Sequence, residues 1–194
     1  MNADYVAQVN AKQLRSHEPQ VESMLADAQE FRATTSWSDI MAPDIQLYFI
    51  VVATPSLPDG GYDHYQVDAL LAQFEAMGPS AHPKHLVIMC TTMPGYCDRI
   101  APKMAALNYH ISYNPEFIAQ GTIVHDQQYP DQVLIGEANA AAGDAIEAIY
   151  RRMCVETPTF CRMSRISAEI AKLATNCFLT TKISFANSIG DLAT

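Results

Sequence analysis

The sequence predicts an α/β fold: a mainly parallel sheet with flanking helices, followed by one long helix. Three observations carry this. Short runs rich in β-branched and aromatic residues alternate with longer stretches of helical spacing. The short runs are apolar on consecutive residues, which fits strands covered on both faces of a parallel sheet. From Arg165 to about Asp191 there is no proline, and the one glycine is Gly190, so the chain closes on a helix longer than most.

Taken in order, the chain opens on a helix over Asp4–Leu14. A strand follows at Gln46–Ala53 (QLYFIVVA). The spacing then predicts a helix over Asp63–Met77, where Val67, Leu70, Leu71, Phe74 and Met77 form one apolar stripe. Asp63 with Gln66 three residues on reads as a capping box, and Gly78-Pro79 as a stop. Next come a strand at Leu86–Thr91, a helix over Pro94–Leu107, strands at Tyr109–Tyr113 and Gln132–Ile135, and a helix over Ala138–Met153. Strand–helix alternation of this period marks βαβ units. On the last helix Ile166, Ile170, Leu173, Cys177 and Phe178 are expected to form the apolar face. Helices of that length often join domains or pair in dimers.

Composition narrows the function. The chain has 194 residues, 49% hydrophobic and 17% charged, the balance of a globular protein. Its net charge of −9 makes a nucleic acid an unlikely partner, since little counterion release could be gained. No apolar run is long enough to cross a bilayer, so no membrane partner is expected. The start, MNADYVAQVNAKQLRSHEPQ, lacks the pattern of a signal peptide. The cysteines, Cys90, Cys97, Cys154, Cys161 and Cys177, are odd in number and form no Cys-x-x-Cys pair. They read as reduced thiols of a cytosolic protein. The histidines show no ligand spacing, and no metal is expected.

Four clusters could carry chemistry. Thr54, in Ala53-Thr54-Pro55-Ser56, ends a strand where ligands bind in open α/β sheets; it equally suits a turn that closes the strand. Thr91-Thr92-Met93-Pro94-Gly95 ends the next strand. Its hydroxyls could face a crevice, although N-capping accounts for them as well, and Pro94 suits a first helical turn. In Asn114-Pro115-Glu116-Phe117-Ile118-Ala119-Gln120-Gly121, Glu116 and Gln120 share one face if the segment is helical after Pro115. Glu116 is then a candidate base, or a first-turn glutamate that complements the helix dipole. Finally, Glu169, Lys172 and Asn176 share one face of the long helix. Lysine and asparagine together can hold a substrate oxygen. Taken alone, the stripe reads more simply as a solvated ion-pair face.

Together and in this order, the clusters resemble the UDP-glucose/GDP-mannose dehydrogenase family. The family pattern of Thr-Pro, Ser-Thr-x-Pro, Asn-Pro-Glu-Phe-x-x-Glu-Gly, Pro-Asp-x-Val-x-Ile-Gly and Ala-Glu-x-x-Lys-x-x-x-Asn is met at Thr54-Pro55, Thr91-Thr92-Met93-Pro94, NPEFIAQG (114–121), PDQVLIGE (130–137) and AEIAKLATN (168–176). HEPQVESML resembles the family's Glu-Pro-Gly-Leu helix. The resemblance implies a Rossmann-like NAD-binding domain over residues 1–163 and a connecting, dimerising helix from 164 to 194. It implies oxidation of the C6 alcohol of a UDP- or GDP-sugar to the carboxylate with NAD, through an aldehyde and a cysteine thioester, and a homodimer formed through the long helix.

Carried over by residue, the resemblance gives Thr54 to the cofactor and Thr92 to the cofactor and an ordered water. Glu116 goes to thioester hydrolysis. Lys172 and Asn176 go to the substrate oxygen and its anionic intermediates. Phe117 and Gln120 fall in the substrate segment, with Gln120 also on the cofactor side. Three departures stand out. Gln120 replaces a second glutamate of many members and cannot accept a proton. No Gly-x-Gly-x-x-Gly turn is present, so the first βαβ is expected to be missing. No cysteine stands in Gly-Gly-x-Cys-Leu-Pro-Lys-Asp, and Cys177 has the neighbours of a helical core position. The resemblance therefore implies a chain truncated at both ends, without turnover of its own.

Overall fold

A computed structural model describes residues 2–193. The elements run α1 (Ala3–Asn10), α2 (Val21–Asp27), α3 (Trp37–Ile40), β1 (Leu47–Ile50), α4 (Tyr65–Ala76), β2 (Lys84–Ile88) and α5 (Tyr96–Ala105). They continue with β3 (Tyr109–Tyr113), α6 (Ile123–Gln128), β4 (Gln132–Gly136), α7 (Ala140–Met153), β5 (Thr159–Met163) and α8 (Arg165–Ala193). The described residues fall into two compact units. One comprises the N-terminal stretch to Gln46 with Phe117–Gln132 and Ala148–Thr159; the other comprises Leu47–Glu116, Val133–Glu147 and the stretch from Phe160 onward.

The sheet has the order β1-β2-β3-β4-β5. β1 pairs parallel with β2, and β2 with β3, whereas β3 meets β4 antiparallel through Tyr113 and Gly136. The expected mainly parallel sheet is therefore present. Consecutive Leu86, Val87 and Ile88 of β2 are all fully buried. Neighbouring strand residues point to opposite faces, so both faces of β2 are covered, as its unbroken apolar run requires. α4 presents Val67, Leu71 and Phe74 to the core, and α7 presents Ala142, Ile146 and Tyr150. These follow helical spacing. On α4, Met77 falls outside the core and is half exposed, so the stripe is narrower than expected.

Several local expectations are corrected. Asp63 does not close a capping box. Its Oδ1 accepts from the amide of Tyr65, the first residue of α4, at 2.8 Å, and the N-cap is His64. Pro94 lies before α5, while Pro102 lies inside it. The segment after Asn114 is not helical until Ile123, so Glu116 and Gln120 share no helix face. Pro115 keeps Asn114 out of the helical region, and residues 115–119 form no regular element. On α8 the expected apolar face is not the buried one. Ile166, Ile170, Phe178 and Cys177 are exposed, and Ala168, Glu169 and Lys172 are buried. β5 went unread because Thr-Phe-Cys-Arg-Met holds no β-branched run and carries a charge. It is an edge strand, fixed by Arg162, which pairs with Glu137 at 2.7 Å and Asp144 at 2.5 Å.

Candidate functional site

The site is built where α8 crosses the carboxyl ends of β2, β3 and β4. Gly136 makes that crossing possible. A Cβ at this position would stand 2.8 Å from the Arg165 Cα, 3.1 Å from the Ala168 Cβ and 3.3 Å from the Tyr113 Cβ. With hydrogen there instead, the first turn of α8 lies against the strand. Arg165 fastens it further, donating to Asp98 at 2.7 Å and to the Ile111 carbonyl at 3.3 Å. The next turns then carry Glu169, Lys172 and Asn176 over the strand ends.

Glu169 is fully buried. Its Oε1 accepts from the Thr92 hydroxyl at 3.0 Å and from the Cys97 amide at 2.9 Å. Its Oε2 accepts from the Gly95 amide at 2.6 Å. These amides begin α5, whose N-cap Gly95 (φ 87°) has no side chain to cap with. Leaving such donors unpaired in the interior costs about 1–3 kcal/mol each, and the carboxylate meets them and the positive end of the helix dipole together. Beside it, burial and Glu169 push the Cys97 thiol well above its ordinary range. On sequence alone Glu169 reads as part of a solvated stripe. The signal that could have found it was the lack of any local cap in Met93-Pro94-Gly95-Tyr96.

Thr92 is also fully buried. Its hydroxyl turns inward to Glu169, so in this structure Thr92 offers no surface to a ligand. Neither Thr91 nor Thr92 caps α5. The loop is held from its other side by His64, whose Nε2 accepts from the Met93 amide at 3.2 Å. The His64 ring stacks on Tyr96 with centroids 4.2 Å apart. Burial lowers its pKa, against the pull of Asp68.

Lys172 is buried, and its Nζ donates to the backbone carbonyl of Glu116. Burial pushes its pKa below the usual lysine value, and the nearby Glu116 carboxylate partly opposes this. Asn114 fixes the approach to Glu116. Its amide donates to the Ile88 carbonyl at 2.9 Å, and its side chain donates to the Leu134 carbonyl at 2.8 Å. Asn176 is one turn beyond Lys172 and half-buried. The structure thus brings Lys172 to Glu116, with Asn176 one turn further along α8 and Thr92 bonded to Glu169 on the same helix. Thr54 is half-buried in the loop that leaves β1.

Phe117 and Gln120 belong to the other unit, where Phe117 is half-buried and Gln120 is exposed. There the turn after Gln120 is held by Glu18, whose carboxylate accepts from the Gly121 amide at 2.8 and 2.9 Å. Among the described residues no three His, Cys, Asp or Glu side chains are grouped to hold a metal ion. No helix among them is long and apolar enough to cross a membrane.

Chemically, the second unit offers a buried ammonium and a carboxamide on one helix face, both hydrogen-bond donors, beside a carboxylate. That set can hold an oxygen as negative charge develops on it, and it can move a proton nearby.

Residues 1–154 match the family model for the NAD binding domain of the UDP-glucose/GDP-mannose dehydrogenase family, and residues 166–194 match that for its central domain. The chain is similar to a UDP-glucose 6-dehydrogenase of Pseudomonas aeruginosa, 32% identical over 96% of this chain and 43% of the relative. It is 26% identical to a GDP-mannose 6-dehydrogenase of the same species, over 91% of this chain and 42% of the relative. Among solved structures, a UDP-glucose dehydrogenase from Pyrobaculum islandicum is similar with a TM-score of 0.84 at 28% identity, over 98% of this chain and 45% of that one. A ternary complex of GDP-mannose dehydrogenase from Pseudomonas aeruginosa shares the fold, with a TM-score of 0.85 at 24% identity, over 96% of this chain and 44% of that one. The chain thus spans less than half the length of the relatives it matches.

Proposed function

The chain belongs to the UDP-glucose/GDP-mannose dehydrogenase family, and from that premise we propose that its residues serve the NAD-dependent oxidation of the C6 alcohol of a UDP- or GDP-linked sugar to the uronate. One observation carries the reading. Lys172 is a buried lysine at the carboxyl end of the sheet, beside Glu116 and one turn from Asn176. Burying a lysine is costly and is rarely done without a polar task.

NAD is the cofactor of the family's N-terminal domain. The residues present fit it in part. Thr54 and the backbone of loop 91–95 lie at the carboxyl ends of neighbouring parallel strands, where such ligands bind. They would hold it there. The N-terminus of α5 is not a phosphate cradle, because Glu169 fills it. Bound NAD supplies a hydride acceptor.

The chain's own residues supply groups that hold the substrate oxygen and handle a proton. Lys172 and Asn176 donate to the substrate oxygen and hold it as charge develops. Their donation comes from one helix face, so it needs no reorganisation. In the thioester route, Glu116 would take up a proton from the water that attacks the acyl carbon, as the C–S bond breaks and the thiolate leaves. The family resemblance alone assigns Phe117 and Gln120 to the sugar, Gln120 as a hydrogen-bonding group that cannot take a proton. Thr92 serves from inside the fold, through Glu169.

The chain by itself is proposed not to turn over. A thioester route needs a placed thiolate; Cys90 and Cys97 are buried, with thiols pushed up by desolvation, and none of the five cysteines stands in a Gly-Gly-x-Cys-Leu-Pro-Lys-Asp context. The free thiols fit a cytosolic protein. The test mixes the purified chain with NAD and either UDP-glucose or GDP-mannose, following NADH by absorbance and sugar binding by calorimetry. Binding without NADH is expected. Turnover overturns the proposed inactivity, and absence of binding to both sugars overturns the substrate reading.

A second reading is a non-catalytic homodimer built through α8. It is favoured by the exposure of Phe178, Leu179, Ile183, Phe185, Ile189 and Leu192 along that helix.

A further inference from the structure

We infer that Glu169 is a positioning residue: its buried carboxylate ties the loop Thr92–Cys97 to the helix that carries Lys172 and Asn176, so that a ligand held on the helix is felt at the loop. The coupling half of this rests on the nucleotide-sugar reading above; the tie itself does not.

The argument begins with how α5 is capped. Most helices take their N-terminal acceptor from the residue at the N-cap itself. α5 has Gly95 there, and its acceptor comes from a side chain 74 residues away. A local cap would fix only the turn. A cap supplied by α8 fixes the turn to α8. The Thr92 hydroxyl adds a further thread to the same carboxylate, 77 residues distant in sequence.

The chemistry also requires a carboxylate. Oε1 and Oε2 both face donors: Thr92 Oγ1 and Cys97 N on one, and Gly95 N on the other. An ionised carboxylate accepts on both oxygens, whereas a carboxamide must turn its NH₂ toward one of these donors. Glutamine is therefore isosteric here but wrong in polarity. The same bonds fix Thr92. Its single hydroxyl hydrogen is committed to Glu169, so its part in the site is to complete this acceptor's donor set.

Geometry supplies the coupling path. Glu169 reaches the exit of β2, and Lys172, on the next turn of the same helix, reaches the exit of β3 at the Glu116 carbonyl. One rigid element thus spans two neighbouring strand ends. A ligand oxygen that draws Lys172 acts on α8, and α8 acts on Gly95 and Cys97 through Glu169.

The experiment is residue-resolved amide hydrogen exchange on the full chain, wild type against Glu169→Gln, without and with UDP-glucose or GDP-mannose. In the unliganded wild type, the Gly95 and Cys97 amides should be protected. In Glu169→Gln they should lose about tenfold or more of that protection, while β4 keeps its own. In the wild type, whichever sugar nucleotide binds should raise protection at Gly95 and Cys97. In the variant it should still bind but leave these amides unchanged. Unchanged protection in the unliganded variant overturns the tie. An equal ligand response in both proteins overturns the coupling. If neither sugar binds the wild type, the substrate reading and the coupling fall together, and the unliganded comparison still decides the tie. Should Glu169→Gln not fold, Thr92→Val removes one donor and is expected to expose the same two amides by a smaller factor; no change there overturns the tie.

Discussion

Gly136 at the end of β4 lies directly against Arg165, the first residue of α8: a Cβ on the glycine would stand 2.8 Å from the Arg165 Cα. Backbone cannot yield as a side-chain tip can, so Gly136→Ala must push α8 off the sheet. A loss of about 1–3 kcal/mol is expected, the usual range for overpacking. Gly190→Ala supplies the opposite sign. Nothing lies within 4 Å of a Cβ there, and the site is in an exposed helix. It should gain up to about 1 kcal/mol from helix propensity. Urea unfolding of both variants checks the pair. Equal stabilities would mean that α8 does not rest on β4 through Gly136.

Lys172 should matter for binding as well as for stability. Lys172→Met keeps the length of the side chain and removes a buried ammonium together with its bond to the Glu116 carbonyl. Removing one partner leaves the other without that donor. A stability loss of about 1–3 kcal/mol is expected. Affinity for UDP-glucose or GDP-mannose should fall at least about tenfold, since a charged hydrogen bond to a ligand is worth about 1.5–3 kcal/mol. Calorimetric titration and thermal unfolding separate the two. Undiminished affinity would remove Lys172 from the site.

The sheet was legible because its chemistry is local. Tyr109–Tyr113 holds a buried run that reads as a strand whatever surrounds it, and the structure returns the same bounds. The site was legible in part. Lys172 and Asn176 stood out by type and spacing, but the pattern around them gave the wrong buried face to α8. Helical periodicity marks apolar residues, and here the buried positions are Ala168, Glu169 and Lys172. Thr92 shows the same limit: its place at a strand end was readable, but the direction of its hydroxyl was set by Glu169, far along the chain. Contacts of that sequence separation leave no periodic trace. Whether the segment after Pro115 is helical stays open in the sequence, because proline restrains Asn114 before it and equally suits a first helical turn.

Acid should loosen the loop that follows β2. The imidazole of His64 accepts the Met93 amide through Nε2, which requires the neutral ring. Burial and Arg99 hold its pKa below the ordinary 6.5, while Asp68, Asp63 and Glu169 pull it up, with burial dominant. The folded protein therefore binds fewer protons than the unfolded chain between the two values. Stability from His64 is present above pH 6.5 and is lost as pH falls through the lowered folded value. His85 acts in the same direction, its pKa lowered by burial and by His110. In His64→Gln the side-chain oxygen can still accept from Met93 but does not titrate. Its unfolding midpoint should fall less steeply with acidification than that of wild type, with the His85 share of the slope remaining. Identical slopes would show that His64 carries none of the dependence.

The apolar residues of α8 should hold two copies of the chain together. Phe178, Phe185 and Leu192 are 63%, 68% and 83% exposed, and helical spacing puts them with Ile189 on one side of the helix. Contiguous exposed apolar surface of this kind marks an interaction site. A glutamate in the middle of such a face would bury an unpaired charge against the partner, so Phe185→Glu should keep the monomer folded and abolish the pairing. Sedimentation equilibrium is expected to show wild type passing from monomer to dimer as concentration rises and Phe185→Glu remaining monomeric. A wild type that stays monomeric at high micromolar concentration would leave α8 without a second copy as its partner. A variant that still dimerises would move the interface off this side of the helix.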